Sequence, residues 1–453
     1  MRRGSSHARI DPQYQELDRR KRVHYANPRF PLVPIGSLAT FVQYGISERA
    51  NTSGLGVPMI RMNNLQVNGW DLSDLKHIEL DEPELGRYRL LKGDLLFNRT
   101  NSKELVGKCE VFQEEGDWVF ASYLIRVRVD SGRVLPHFVS AFLNSPAGRI
   151  QIDQVSRQIA GMSNVNAEEL RLLEIPLPSL KLQRALMAEL DAARVERDQA
   201  FGKADELLAS IDEIVLEETG IPTDLSTRKV FSVKASQLNG PLTPERYSVL
   251  SLERAVSGVI TAADAGQLIR ERVTPAKDSP GDLYNWIRID DLENRPLSVN
   301  SIRVELGQNI SGSLIPVRAG DLLIARLGPT LLNSKIVLCP AVDGRIVASP
   351  EFLVLRTNNR WSPVFLLWLF RSAYYRKIMY ARSRGGTPSR YRLDGLDFLD
   401  IPMPSVSILR QEEIASHCNE RVAEAQRLRV HAETVWREAR IRFEQQLLQG
   451  SEA

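Results

Sequence analysis

Cysteine is scarce and unpatterned: Cys109, Cys339 and Cys418 are odd in number, far apart, and include no CxxC pair. A disulfide framework is excluded, and no zinc-ribbon spacing exists. Histidine supplies no ligand set either, since His7, His24, His77, His137, His417 and His431 follow no metal-ligand spacing. Long apolar runs are missing. The longest, Val364 to Phe370, falls far short of the roughly 20 residues that cross a bilayer. No apolar signal-peptide core follows the arginine-rich start, so the sequence predicts a reduced, soluble, cytoplasmic protein.

Enzyme signatures are absent in the same way. GxGxxG, GxxxxGK(S/T) and HExxH do not occur, which removes the dinucleotide, P-loop and zincin readings. Nor does Glu-x-Lys occur, which counts against a nuclease core of the Asp…Glu-x-Lys kind. Asp11-Pro12-Gln13-Tyr14 stands one residue away from an Asp-Pro-Pro-Tyr methyltransferase motif, but no nucleotide-binding βα unit precedes it. Charge of one sign is also missing: 59 Lys and Arg against 56 Asp and Glu leave a net +3 over 453 residues. That balance announces no nucleic-acid binder by itself. Its distribution is uneven, because Arg2, Arg3, Arg9, Arg19, Arg20, Lys21, Arg22 and Arg29 oppose only Asp11, Glu16 and Asp18 at the start. This segment suits either a phosphate-touching arm or a solvated, frayed terminus.

Two proline-marked stretches are present instead. Ile175-Pro176-Leu177-Pro178 opens a proline-free run to Glu218. Leu186, Leu190, Ala193, Ala200, Ala204, Leu207, Ile211 and Ile214 occupy its a and d positions, with Arg197 the one violator. The pattern predicts a helix with a single apolar seam, about 55–60 Å long at 1.5 Å per residue. Ile401-Pro402-Met403-Pro404 opens a second such run, with Ile414, Cys418, Ala425, Leu428, Ala432, Val435 and Ala439 on the seam and Arg421 as its violator. Alanine-rich seams let two backbones approach closely, so the helices are expected to pair. Connectivity favours an antiparallel pair, with an acidic end near Glu217 and Glu412 free to meet another protein. Exposed ion pairs are too weak to reverse that order.

The proline signatures belong to a wider duplication. Ile60-Arg61-Met62-Asn63-Asn64-Leu65 matches Ile287-Arg288-Ile289-Asp290-Asp291-Leu292 at an offset of 227. Gly93-Asp94-Leu95-Leu96 with Arg99 matches Gly320-Asp321-Leu322-Leu323 with Arg326 at the same offset. Chance matches would scatter. Each unit is one globular domain followed by one long helix, and the domain has a mixed α/β pattern. Alternation from Val119 to Val129 predicts a half-buried strand, and Pro136 to Asn144 and Pro363 to Ser372 predict helices.

Polar and basic residues recur in loops at equivalent places. They are Arg61, Asn63 and Asn64; Asn98, Arg99, Asn101 and Lys103; and Ser163 and Asn164 after Gly161. The second repeat offers Arg288, Arg326, and Thr387, Ser389 and Arg390. Arginine suits guanine edges, asparagine suits adenine, and Ser, Thr and Lys suit phosphates. Surface loops are polar in any case, and Arg99 and Arg326 equally suit a role in holding their turns.

The duplicated Ile-Pro-Leu-Pro signature, Gln183 soon after it, the long alternating-charge helix, and Arg9-Ile10-Asp11-Pro12-Gln13-Tyr14 resemble the specificity subunits of type I restriction–modification systems. The resemblance implies an α+β protein with two target recognition domains, residues 1–174 and 246–400. Helical regions 175–218 and 401–453, with a lead-in at 219–245, would form an antiparallel coiled coil. It implies a non-catalytic subunit that binds a split double-stranded DNA site and docks DNA adenine methyltransferase subunits, which would hold the S-adenosylmethionine. Through them it would meet a helicase–nuclease subunit. Docking candidates are Leu186, Leu207, Ile211, Glu217, Glu412 and Leu428. Two departures stand out: Gln411 comes two residues later in its repeat than Gln183, and Asp291 replaces Asn64. Alternatives are a type IIB-like bifunctional methyltransferase–nuclease partner, a methyltransferase fragment beginning at Asp11, and a coiled-coil adaptor without sequence-specific DNA binding. Two unlike domains predict a non-palindromic target with a spacer set by the helices.

Overall fold

The duplicated Gly-Asp-Leu-Leu segment is a turn lock. Gly93 and Gly320 take φ of 95° and 83°, the left-handed region that glycine enters without cost. Each following carboxylate then turns back on the chain. Asp94 accepts the Leu91 N–H at 2.9 Å, and Asp321 accepts that of Arg318 at 2.8 Å. Both carboxylates are buried, and both hold an arginine of the neighbouring strand. Arg128 reaches Asp94 at 3.0 Å, and Arg356 reaches Asp321 at 2.7 Å. The repeated motif is therefore explained by scaffold chemistry.

The computed structural model describes residues 12–66, 69–159, 162–224, 244–250, 252–253, 256, 260–293, 298–299 and 302–449. Arg9-Ile10-Asp11, Gly161 and most of the 219–245 lead-in lie outside the described residues. The chain divides into two units, residues 1–199 with 431–453 and residues 200–430.

In the first unit, Ala39–Tyr44, Leu124–Val129, Leu95–Asn98 and Cys109–Val111 form an antiparallel sheet in that order. Phe138, Val139 and Phe142 of helix Pro136–Leu143 pack with Leu95, Ile125 and Val127 on one face. Leu96 and Leu124 pack with Ile60 and Phe120 on the other. A second sheet pairs Val119–Phe120 in parallel with Met59 and Ile60 of Val57–Ile60. The predicted single strand from Val119 to Val129 is therefore two strands in two sheets, joined by a turn closed by Leu124 N–H to Ala121 O at 2.9 Å. Alternating polarity misleads here because both faces are covered. Arg126 is 2% exposed, lies 3.6 Å from Asp94 and stacks 5.1 Å from the rings of Phe41 and Phe120.

The second unit repeats the antiparallel sheet as Gly266–Leu268, Phe352–Thr357, Leu322–Ala325 and Ile336–Leu338. Helices Pro363–Arg371 and Ala373–Arg382 correspond to Pro136–Leu143 and Pro146–Val155. Its other sheet runs Arg303–Leu306, Leu283–Ile287, Arg345–Ala348, Ile315–Val317, with the middle pair parallel.

The long helices are Leu180–Glu218 and Ile408–Leu448. Each begins later than its proline signature. Glu174–Pro176 is a strand paired antiparallel with Leu32–Pro34, and Pro402 bridges Thr261. Proline cannot donate to a ladder, so these prolines sit at strand edges and not inside helices. A buried glutamine fastens each helix to its own unit. Gln183 accepts the Leu135 N–H at 2.9 Å and donates to Arg133 O at 3.1 Å and Pro178 O at 2.9 Å. Gln411 accepts the Ser362 N–H at 2.9 Å and donates to Arg360 O at 3.2 Å and Val406 O at 2.9 Å. The two-residue displacement of Gln411 is absorbed before the helix starts.

Within each unit the two long helices pack antiparallel. Glu189 meets Gln446 and Glu196 meets His431 in the first, at 3.3 and 3.0 Å. Asp205 meets Arg429 and Glu218 meets His417 in the second, at 2.7 and 3.1 Å. Leu186, Leu190, Ala193, Ala200, Ala204, Ile211, Ile414, Cys418, Ala425, Ala432 and Ala439 of the expected seams are buried. Leu207, Ile214, Leu428 and Val435 are only half-buried, and Val215 and Val422 take up the packing. A straight helix drifts from a strict heptad at 3.6 residues per turn. Of the violators, Arg197 is accommodated by stacking 4.9 Å from the Trp436 ring, while Arg421 is exposed.

The docking candidates need correction. Leu186 and Ile211 lie in the chain's own cores, which removes them as surface contacts. Glu217 and Glu412 are exposed, but the acidic end around them is partly neutralised: Glu218 holds Arg410 at 3.2 Å and Asp212 holds Arg376 at 3.3 Å. Among the described residues, no helix is long and apolar enough to cross a membrane.

Ala204→Asp should cost several kcal/mol, because it buries an unpaired carboxylate at a fully covered position, and Leu207→Asp should cost about 1 kcal/mol. Urea unfolding of both variants checks the seam, and equal losses would contradict it. Desolvation pushes the Cys339 and Cys418 thiols up to about 12 and that of Cys109 higher still. The native chain at about pH 8 should therefore resist a thiol reagent that reacts fully after denaturation.

Candidate nucleic-acid interface

In the first unit the strand pairs Ser163–Asn101 and Asn164–Thr100 gather several of the expected residues beside Arg99. Arg99 follows the central strand Leu95–Asn98, where its N–H donates to Tyr123 O at 3.0 Å and its carbonyl accepts the Val165 N–H at 2.9 Å. The guanidinium lies 4.8 Å from the Tyr44 ring and donates to Asn164 Oδ1 at 3.3 Å. Asn164 in turn donates to Thr100 Oγ1 at 2.7 Å. Tyr44 is held by the Ala167 N–H, which donates to its hydroxyl at 2.8 Å. The result is a half-exposed arginine on a rigid aromatic and amide support, with Lys103 exposed nearby in sequence. Burial, then Arg149, lowers the pKa of Lys108 behind this loop.

The second unit builds the same junction with other side chains. Arg326 follows the central strand Leu322–Ala325, its N–H donates to Glu351 O at 3.0 Å, and its carbonyl accepts the Leu393 N–H at 2.9 Å. Thr387, Ser389 and Arg390 are exposed on the segment that returns to Arg326 through the Leu327–Arg392 bridge. Arg392 is tied to Glu351 at 2.7 Å. Arg326 lines a cleft with Arg270, Arg272 and Asp394. The repeat pattern does not single out Arg270 and Arg272, because nothing at the matching strand positions, Tyr44 and Ile46, is charged. The Arg-x-Arg doublet itself was the available signal.

Several expected contacts serve the scaffold instead. Asn64 is 2% exposed, accepts the Arg61 N–H at 3.0 Å and donates to Asp71 O at 2.8 Å. Asn98 and Ser163 are buried, and Asn101 caps the Ser102 N–H at 2.8 Å. Asn64, Asn98 and Asn101 bond to their own loops, while the Ser163 hydroxyl is buried without a partner. Arg61 and Arg288 each hold a carboxylate, Asp74 at 2.9 Å and Asp290 at 3.1 Å. Asp291 pairs with Arg303 at 2.8 Å, so the replacement of Asn64 exchanges an amide turn for an ion pair. Asn63 is exposed. Among the described residues no group of His, Cys, Asp and Glu could hold a metal ion.

Such a molecule is a duplicated α+β protein with one backbone frame used twice and different polar groups displayed at its strand ends. Comparison narrows the class. No family model matches the chain. It is 26% identical over 181 residues to the type I restriction enzyme EcoKI specificity subunit of Escherichia coli (strain K12), covering 39% of each chain. It is 25% identical over 235 residues to the StySPI specificity subunit of Salmonella potsdam, covering 49% of each. The chain thus spans half or less of these relatives. A solved structure from work on complex assembly and conformational transition of the type I R-M system shares the fold, with a TM-score of 0.50 at 12% identity over 93% of this chain and 97% of that one. The chain resembles type I restriction specificity subunits in sequence and shares the fold of a chain from that work on the type I R-M system.

If Arg99 is displayed for a ligand, Arg99→Ala should shift unfolding by no more than about 1 kcal/mol, the worth of one exposed cation–π contact. Asp94→Asn should cost about 3–5 kcal/mol by leaving the buried Arg126 without its counter-charge. Urea denaturation separates the two, and equal losses would make Arg99 a structural residue.

Proposed function

We propose that this chain is the DNA sequence-specificity subunit of a type I restriction–modification complex, binding a bipartite, asymmetric double-stranded site in the cytoplasm. The observation that carries the reading is the junction at Arg99 and Arg326. The same backbone bonds recur in both units, to Val165 and Leu393, while the side chains around them differ. A conserved frame with unlike polar displays is what two independent half-site readers require. Arg99, Lys103, Asn63 and Asn164 would face one half-site, and Arg326, Thr387, Ser389 and Arg390 the other. The chain itself performs no chemistry in this reading. Methyltransferase subunits, carrying S-adenosylmethionine, dock on exposed faces of the long helices, and a helicase–nuclease subunit follows through them. Glu217 and Glu412 remain the exposed docking candidates, and the half-buried Leu207 and Leu428 lie several turns away along the same helices.

Replacing residues 9–174 with the matching domain of another such protein should change one half-site of the methylated sequence and leave the other intact. Methylation mapping in cells that express the cognate methyltransferase reads the outcome. A contiguous palindromic site, or transfer of label from S-adenosylmethionine by the chain alone, would overturn the assignment.

A further inference from the structure

Most of the second unit's arginines that carry ion pairs are closely neutralised. Arg303 holds Asp291 at 2.8 Å, Arg356 holds Asp321 at 2.7 Å, Arg382 holds Glu253 at 2.6 Å and Arg392 holds Glu351 at 2.7 Å. The cleft lined by Arg270, Arg272 and Arg326 breaks that habit. Among the described residues none of these three has a carboxylate at ion-pair distance, and Arg272 donates only to the Glu271 carbonyl, at 3.2 Å. Asp394, the one carboxylate among the described residues of the cleft wall, accepts the Leu396 N–H at 2.9 Å and keeps its charge, but pairs with none of the three. Arg326 Nε is buried with no acceptor, and an orphaned buried donor is costly unless a ligand meets it. The floor is apolar, with Phe352 and Val354 1% exposed, so a charge seated there is less screened than on open surface.

Three guanidiniums against the single Asp394 carboxylate leave the cleft net positive over an apolar floor, which favours an added anion, and their planar forks match a phosphate. We propose that Arg270, Arg272 and Arg326 form an anion-binding cleft that takes a backbone phosphate of DNA, a contact peculiar to the second unit. The first unit has Tyr44 and Ile46 at the matching strand positions, and the Tyr44 ring lies against the Arg99 guanidinium. This deepens the DNA-binding reading and rests on it for the source of the phosphate. It makes the two half-site readers unequal: the second grips the backbone through added charge, while the first displays one supported arginine.

The test uses the full chain and the double variants R270A/R272A and R270K/R272K, all at exposed positions. Anisotropy of a fluorescein-labelled duplex of mixed sequence is followed between about 50 and 200 mM NaCl. The alanine variant should lose about 0.9 from the salt slope for the phosphate given up, and the lysine variant should keep the slope. In parallel, inorganic phosphate at matched ionic strength should raise the melting temperature of the parent chain and not that of the alanine variant. An unchanged slope with equal phosphate stabilisation of both chains overturns the cleft. No duplex binding by the parent, with phosphate stabilisation lost in the variant, overturns the DNA source and leaves a free-phosphate site. Neither ligand bound by the parent overturns both.

Discussion

A single buried side-chain amide joins each long helix to the unit it serves. Gln183 and Gln411 sit one turn into their helices, almost wholly buried, and each satisfies a backbone N–H and two carbonyls that have no ladder partner. The N–H and one carbonyl belong to residues just before the first covering helix, Pro136–Leu143 or Pro363–Arg371, and the other carbonyl, of Pro178 or Val406, to the approach to the long helix itself. The amide therefore fixes where the covering helix starts relative to the long one, and through it the sheet beneath. A planar carboxamide supplies one acceptor and two donors, and glutamine carries it one methylene further from the backbone than asparagine does. Loss of the amide would strand buried polar groups, each worth about 1–3 kcal/mol.

The second constraint is the turn lock at Asp94 and Asp321. Each carboxylate closes the turn before the central strand and neutralises an arginine on the next strand. The strand that follows delivers Arg99 or Arg326 at a set height, held by backbone bonds that do not depend on side-chain identity. That separation of roles matters for the DNA-recognition role proposed above. The frame can stay constant while the display changes, because the residues that hold the frame are buried and the residues that differ are at its rim.

Duplication, the long helices and their antiparallel order were legible in the sequence, since a proline pair and a sustained apolar period are local signals. Gln183 stands out in the sequence as a marker of the helix start, but its purpose is not legible there, because its partners Arg133 and Leu135 lie some fifty residues away. The strand from Val119 to Val129 was misjudged because two sheets share it and both its faces are covered. Leu207 was placed in the seam by a strict heptad that a straight helix does not follow. At the candidate site, Arg99 and Arg326 were found by their repeat position, whereas Asn64, Asn98 and Ser163 look like surface polar residues and are buried.

The sequence by itself determined that this protein is built twice, with an α+β unit and a long helix each time, because periodicity, proline and turn residues act over a few neighbours. Only the tertiary structure decided which polar side chains are spent inside and which stand free. Asn64 and Arg61 are used up by Asp71 and Asp74, while Arg270, Arg272 and Arg326 converge on one cleft from segments far apart in the chain. Whether a charge is neutralised depends on what folding brings within about 4 Å of it, and no local pattern records that distance.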